Sequence, residues 1–292
     1  MDATAILAIA IKISIFLVVL RFGLEASIAD VLFVFRQPGL LIRSIVSIYV
    51  IVPAFAIFLV KVFSLNPVLE VALVGLSISP VPPILPNKAL KKGGEKKYTF
   101  GLLAAISVLS LIIIPIEARI FNAIFNRETV FSETSVLITI LVSVIVPFAI
   151  GMIIRHFAPA VSQHARLIGK IGMVILIVAF LPILIALLPA IWSLIGNGTI
   201  LAIIAFTLVA LTAGHLLGGP DPTDRLVLAL ATAARHPAIA IGLVTANVDG
   251  SEKKLAIAAI LLYLLVSGII IGPYLNWLGG HETKGGEVPN EA

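Results

Sequence analysis

Apolar runs of about 20 residues recur along the chain, separated by short polar stretches, near 3–22, 40–62, 68–90, 98–118, 133–155, 168–192, 198–218, 223–247 and 254–278. Each is long enough to cross a hydrocarbon core of roughly 30 Å as a helix. Strands of a membrane barrel would be shorter and would alternate in polarity. The pattern predicts an all-α polytopic membrane protein of about nine transmembrane helices, forming a single domain over residues 1–278. The first run matches the later ones in length and has no basic flank or small-residue cleavage signal, so it reads as a retained span. Segment 119–132, with Ile120, Phe121, Ile124 and Phe125, is expected to hold a short interfacial helix. Residues 279–292 have almost nothing apolar and are expected to form a disordered cytoplasmic tail.

Composition agrees with a chain solvated by lipid. Hydrophobic residues make up 60% and charged ones 12%, against about a quarter charged in soluble domains. No cysteine is present, which excludes disulfides and thiolate metal sites. The formal charge of +5 reads as topogenic rather than as a nucleic-acid footprint. Arg21, Arg36, Arg43, Lys88, Lys91, Lys92, Lys96, Lys97, Arg155, Arg166, Lys170, Arg225 and Lys284 fall on one side of the nine spans. The other side has Lys61, Arg119, Arg127, Lys253 and Lys254. This bias places the N-terminus outside and the C-terminus in the cytoplasm of a plasma (inner) membrane.

Two segments repeat. GGEKKYTFGLLAAISVLSLIIIP, ending at Pro115, parallels DGSEKKLAIAAILLYLLVSGIIIGP, ending at Pro273. In this register Pro80 corresponds to Pro237, Glu95 to Glu252 and Ser110 to Ser267. About five crossings separate the two Glu-Lys-Lys turns, and an odd number puts them on opposite sides, which predicts an inverted repeat.

The equivalent spans are both interrupted. The third reads SISPVPPILPNKAL, and Pro82, Pro83 and Pro86 each lack the N–H of an i to i−4 bond. The eighth reads ATAARHPAIAIG, with Arg235, His236 and Pro237 consecutive near its middle. Irregular backbone at bilayer depth is tolerated where it is buried in protein or lines a cavity, and an Arg there costs about 2.5–3.5 kcal/mol on insertion scales. Half-helix ends meeting at such breaks, with the Arg235 guanidinium beside them, suit a small organic anion. The expected substrate-binding residues are Arg235, His236, Pro82, Pro83, Asn87 and Ser267. His236 reads either as a proton carrier or as a hydrogen-bonded core histidine. Asn87, Thr99, Ser107 and Thr232 are the candidate ion ligands, with Ser110 on the face of Thr99 and Ser107; hydroxyls of this kind also join transmembrane helices to each other. Tyr263 shares a face with Ser267. Lys12 in the first span reads as snorkelling, and Asp221-Pro-Thr-Asp224 as a helix N-cap rather than a metal site. No metal, cofactor or nucleic-acid partner is expected; membrane lipid and the anion are, with the chain a monomer or homodimer.

With FRQPGLLIRSIV before the proline-broken third span and a second break ahead of its Gly-bearing turn, the chain resembles the bile acid/sodium symporter family over nearly its whole length. The resemblance implies an inverted-repeat fold with a panel (1–36, 130–195) and a core (37–118, 196–278), with discontinuous helices crossing at 68–90 and 223–247. By this resemblance bacterial members have ten spans, and the chain reads as lacking the first, as animal members do. It also implies a secondary transporter rather than an enzyme, and no HExxH motif or nucleotide-binding loop argues otherwise; an anion channel is the alternative class. The family's sodium ligands do not carry over. Where its second crossing helix has a glutamate followed four residues later by Gln-Asn, this chain has Ala231, Arg235 and His236. Leu85-Pro86 stand where the first crossing helix has Ser-Asn, Asn87 is displaced by one, and the next span keeps Thr99 but has Leu103 for a second hydroxyl. Arg235 is therefore expected to take the electrostatic place of a bound cation, leaving proton-coupled or uncoupled transport beside the family's sodium symport.

Overall fold

The computed structural model describes residues 3–125, 133–245, 248, 250 and 252–285. Among them the regular elements are helices, in chain order. Helix α1 spans Ala3–Glu25. Helix α2 runs Pro38–Val46, passes through a π-helical turn at Ser47–Ile51 and continues as Val52–Val62. The third span is two half-helices, α3 (Pro67–Ile78) and α4 (Leu85–Leu90). Helix α5 covers Lys96–Phe125. Helix α6 runs Glu133–Ile140, has a π-helical turn at Leu141–Ile145 and continues as Val146–Phe157. Helices α7 (Ala165–Ser193) and α8 (Thr199–Leu217) follow. The eighth span is again split, into α9 (Pro222–Ala233) and α10 (Pro237–Thr245), and α11 covers Glu252–Gly285. Among the described residues, eight helices are long and apolar enough to cross a membrane, with α9 and α10 counted as one and the shorter α3 beside them. This is a multi-pass membrane protein.

Both π-turns stand just before a proline, Pro53 in α2 and Pro147 in α6. A proline inside a helix removes one i to i−4 bond and crowds the preceding turn, and a single widened turn absorbs the misfit. Pro115 and Pro273 do not end their helices: α5 continues to Phe125 and α11 to Gly285. The interfacial helix expected over 119–132 is therefore not a separate element in its described part. Phe121 is buried and stacks on Phe125 at 6.0 Å, so burial of the α5 face carries the helix past residue 118; residues 126–132 lie outside the described residues. Helix α11 likewise enters the segment read as a tail, and 286–292 lie outside the description.

Helix α1 packs against both α6 and α7. Its approach to α6 is backbone on backbone, because a Cβ at Gly23 would lie 2.1 Å from the Phe148 carbonyl oxygen and one at Gly151 would lie 2.4 Å from that of Leu20. Small residues of this kind let transmembrane helices approach where no hydrophobic effect drives them together. The remaining helices enclose both interrupted spans. Half-helix α3 packs on α10, α4 on α9, and α11 on α3, α8 and α10. The two Glu-Lys-Lys turns are alike in backbone, with Gly93 at φ 86° and Gly250 at φ 53°, each two residues ahead of the glutamate. Asp221 caps α9 by accepting the Thr223 N–H at 2.8 Å, as expected from its sequence.

Candidate functional site

The two interruptions meet and bond to each other. The His236 N–H donates to the Pro80 carbonyl at 2.9 Å, and Arg235 Nη1 donates to the Ser79 carbonyl at 3.1 Å. Across the first break the Leu85 N–H reaches the Pro82 carbonyl, and the Tyr263 hydroxyl donates to the Ala233 carbonyl at the end of α9. Backbone groups freed by the prolines are thus satisfied by protein, as bilayer depth requires.

Arg235 is 1% exposed and reaches into α2, where Nη2 donates to the Ile48 carbonyl at 3.2 Å. The π-turn explains why that carbonyl is open: i to i+5 pairing would give Ile48 the N–H of Pro53, which has none. One hydroxyl contact reinforces the junction, Ser47 Oγ to Thr232 Oγ1 at 2.8 Å. Arg235 Nε remains buried without a partner.

His236 is held as a cap. Its Nδ1 accepts the Ile239 N–H at 3.4 Å, which leaves the proton on Nε2 to face Ser143 Oγ, also at 3.4 Å. Ser143 lies in the π-turn of α6 and donates its own proton to the Thr139 carbonyl. The contact ties the second break to the α1, α6 and α7 layer.

These bonds correct one expectation. The half-helix ends do not present a row of free donors: the His236 N–H is used by Pro80, Pro237 has none, Ile239 is capped by His236, and α4 is only 6 residues long. Proximity of the breaks makes each the other's partner, and the positive charge of Arg235 remains at the junction. Pro82 and Pro83 are buried in the break itself.

The hydroxyls expected as ion ligands bond to backbone carbonyls. Thr99 bonds the Glu95 carbonyl, Ser107 that of Leu103, Ser110 that of Ser107, Thr232 that of Leu228 and Ser267 that of Leu264, each within its own helix. Hydroxyls in apolar helices find the preceding turn unless something better is offered. Among the described residues no group of three His, Asp or Glu is placed to hold a metal. Asn87 is drawn elsewhere, its Oδ1 accepting from Arg21 Nη1 at 2.8 Å while Arg21 Nε bonds Glu25 at 2.9 Å. There it lines a cavity of about 980 Å³ whose wall includes Arg21, Lys91, Lys96, Arg155 and Arg166, cations read as lying on one side. Lys12 is exposed on α1.

Glu117 was not among the expected residues. It lies on α5, 6% exposed, and neither carboxylate oxygen has a partner. It shares a face with Ser110, Ile114 and Phe121 and acts electrostatically on Arg235 and Tyr49, without an ion pair to the guanidinium. The sequence signal was a lone carboxylate, in PIEARI, inside an apolar run.

A family model described as the sodium bile acid symporter family matches residues 12–190. No curated protein matches the chain.

Proposed function

The chain belongs to the sodium bile acid symporter family, a family of transporters, and from that premise we propose that it is a secondary transporter of a small organic anion in which the fixed charge of Arg235 replaces bound sodium. The observation that carries the reading is the guanidinium itself, buried where the two breaks join, with one nitrogen unpartnered. A buried unpaired cation is costly, and an arriving carboxylate would offset that cost through a charge-assisted bond. We read the absence of sodium from the ligand set: Ala231 brings no carboxylate, and the Asn87 oxygen accepts from Arg21.

Movement follows the layers. We read α1, α6 and α7 as a panel against which the other helices rock in alternating access, with the two Glu-Lys-Lys units as inverted repeats. Arg21 to Asn87 and Ser143 to His236 are then the polar ties that exchange during the cycle. The cation-lined cavity faces the cytoplasm of the plasma membrane in this reading. A thermal-shift screen of the purified protein against carboxylates, with and without sodium, tests it, since a ligand of the native state raises its stability. Carboxylates should stabilise the wild type equally in both salts and leave Arg235→Gln unmoved; stabilisation that needs sodium, or that survives in Arg235→Gln, refutes the reading.

A further inference from the structure

We infer that Glu117 is the proton-coupling site of this transporter, binding one proton as the organic anion binds at Arg235 and releasing it with the anion on the other side. The inference rests on the proposed role of Arg235 and adds the coupling ion. Four observations carry it. Glu117 and Arg235 are buried charged residues of opposite sign. Each feels the other's charge. They form no ion pair, and atoms on both sides, the Glu117 oxygens and Arg235 Nε, are left without partners. Among the described residues, the groups that act electrostatically on the pair are, besides each other, the hydroxyls of Tyr49 on α2 and Tyr263 on α11. Ile114 and Phe121, which flank Glu117, pack in an apolar cluster with Ile78, Ile140, Ile239 and Leu243.

In such a setting one net charge is costly and a compensated pair is tolerable. With the site empty, Glu117 in its ionised form is the counter-charge of Arg235. When a substrate carboxylate takes that role, two anions face one cation, and a proton on Glu117 restores the balance. Anion and proton therefore favour each other's binding, and the coupling is reciprocal. A monoanion crosses with one proton and no net charge; the proton enters from the bulk on one side, sits on a Glu117 oxygen, and returns to the bulk on the other.

The test uses the full chain in sodium-free proteoliposomes with labelled gluconate and succinate, a mono- and a dicarboxylate that bilayers retain poorly permeant. Under an inward gradient of about one pH unit the wild type should concentrate a transported monoanion up to ~10-fold. Glu117→Gln should still exchange label across the membrane, which shows it is folded, but should accumulate nothing, a fall to a ratio of about one. Arg235→Gln should do neither. Gradient-driven accumulation by Glu117→Gln at the wild-type level overturns the inference and leaves the role of Arg235 standing. Exchange of neither probe by the wild type counts against the transporter reading, and the inference falls with it. A second measurement needs no solute: the infrared carboxyl band that disappears in Glu117→Gln is followed against pH in wild type and in Arg235→Gln. A titration displaced by the loss of Arg235 is expected, and identical titrations overturn the inference.

Discussion

Replacing Arg235 with methionine separates what this residue does for the fold from what it does for transport. The guanidinium makes two hydrogen bonds, to the carbonyls of Ser79 and Ile48 at 3.1 and 3.2 Å. Bonds from a charged donor contribute about 1.5–3 kcal/mol each, so methionine forfeits roughly 3–6 kcal/mol. Against this stands the removal of an arginine from bilayer depth, about 2.5–3.5 kcal/mol. Methionine also fills similar volume, and replacing a buried ion with an apolar group of its shape is often close to neutral. The balance is a loss of about 0–3 kcal/mol, which for a chain this long lowers Tm by less than ~10 °C. Transport should nevertheless be abolished, because the positive charge is gone. Thermal unfolding in detergent and labelled-anion uptake in liposomes read the two quantities on one preparation. Uptake at the wild-type rate would refute the site assignment. A variant that fails to fold would show the guanidinium to be a structural pin between the breaks and α2, and would refute the division of roles.

Further predictions address other parts of the account. Gly151→Leu should push α1 from α6, because even a Cβ there lies 2.4 Å from a backbone oxygen; overpacking of about 1–3 kcal/mol or more should appear as a lowered Tm, and an unchanged Tm would place the helices further apart. His236→Ala should lose the cap of α10 at about 1 kcal/mol together with the tie to Ser143, whereas His236→Asn, which can still cap, should recover most of the stability by the same measurement. Asn87→Leu removes the acceptor of Arg21 and should alter how often the cation-lined cavity opens. Since the chain has no cysteine, a single cysteine at Gln163, which lines that cavity, reports this as a changed rate of labelling, and equal rates would dismiss the contact as a gate. Asp221→Ala should cost about 0.5–2 kcal/mol through loss of the α9 cap, read by thermal unfolding.

Much of the fold was legible in the sequence because the bilayer enforces it. A span must be long, apolar and helical, so the hydropathy pattern yields the helices directly. Prolines 80, 82, 83 and 86 in one span, and Arg235 with Pro237 in another, mark the interruptions since each removes a donor or adds a charge at depth. The partners of the freed groups were not legible. Nothing local says that His236 and Arg235 would donate to the carbonyls of Pro80 and Ser79, which lie about 156 positions earlier in the chain, and this pairing is what consumes the expected donors. Asn87 stands next to the break in sequence yet is claimed by Arg21, a choice made by tertiary packing. Thr99, Ser107 and Ser110 share a face but turn back on their own helix, which sequence spacing cannot distinguish from coordination. Glu117 was overlooked because it stands at the end of the span read as 98–118; the helix runs on to Phe125, and the carboxylate lies inside the protein rather than at its edge. Pro53 and Pro147 were the available signals for the two π-turns that receive Arg235 and His236.

The central claim is that a fixed guanidinium does the electrostatic work of a bound cation. Uptake of a stabilising carboxylate by wild-type proteoliposomes, with all sodium replaced by potassium at constant ionic strength, tests it most directly. The account predicts the same initial rate and the same accumulation in the two salts; uptake that collapses without sodium, and returns when it is restored, would contradict it.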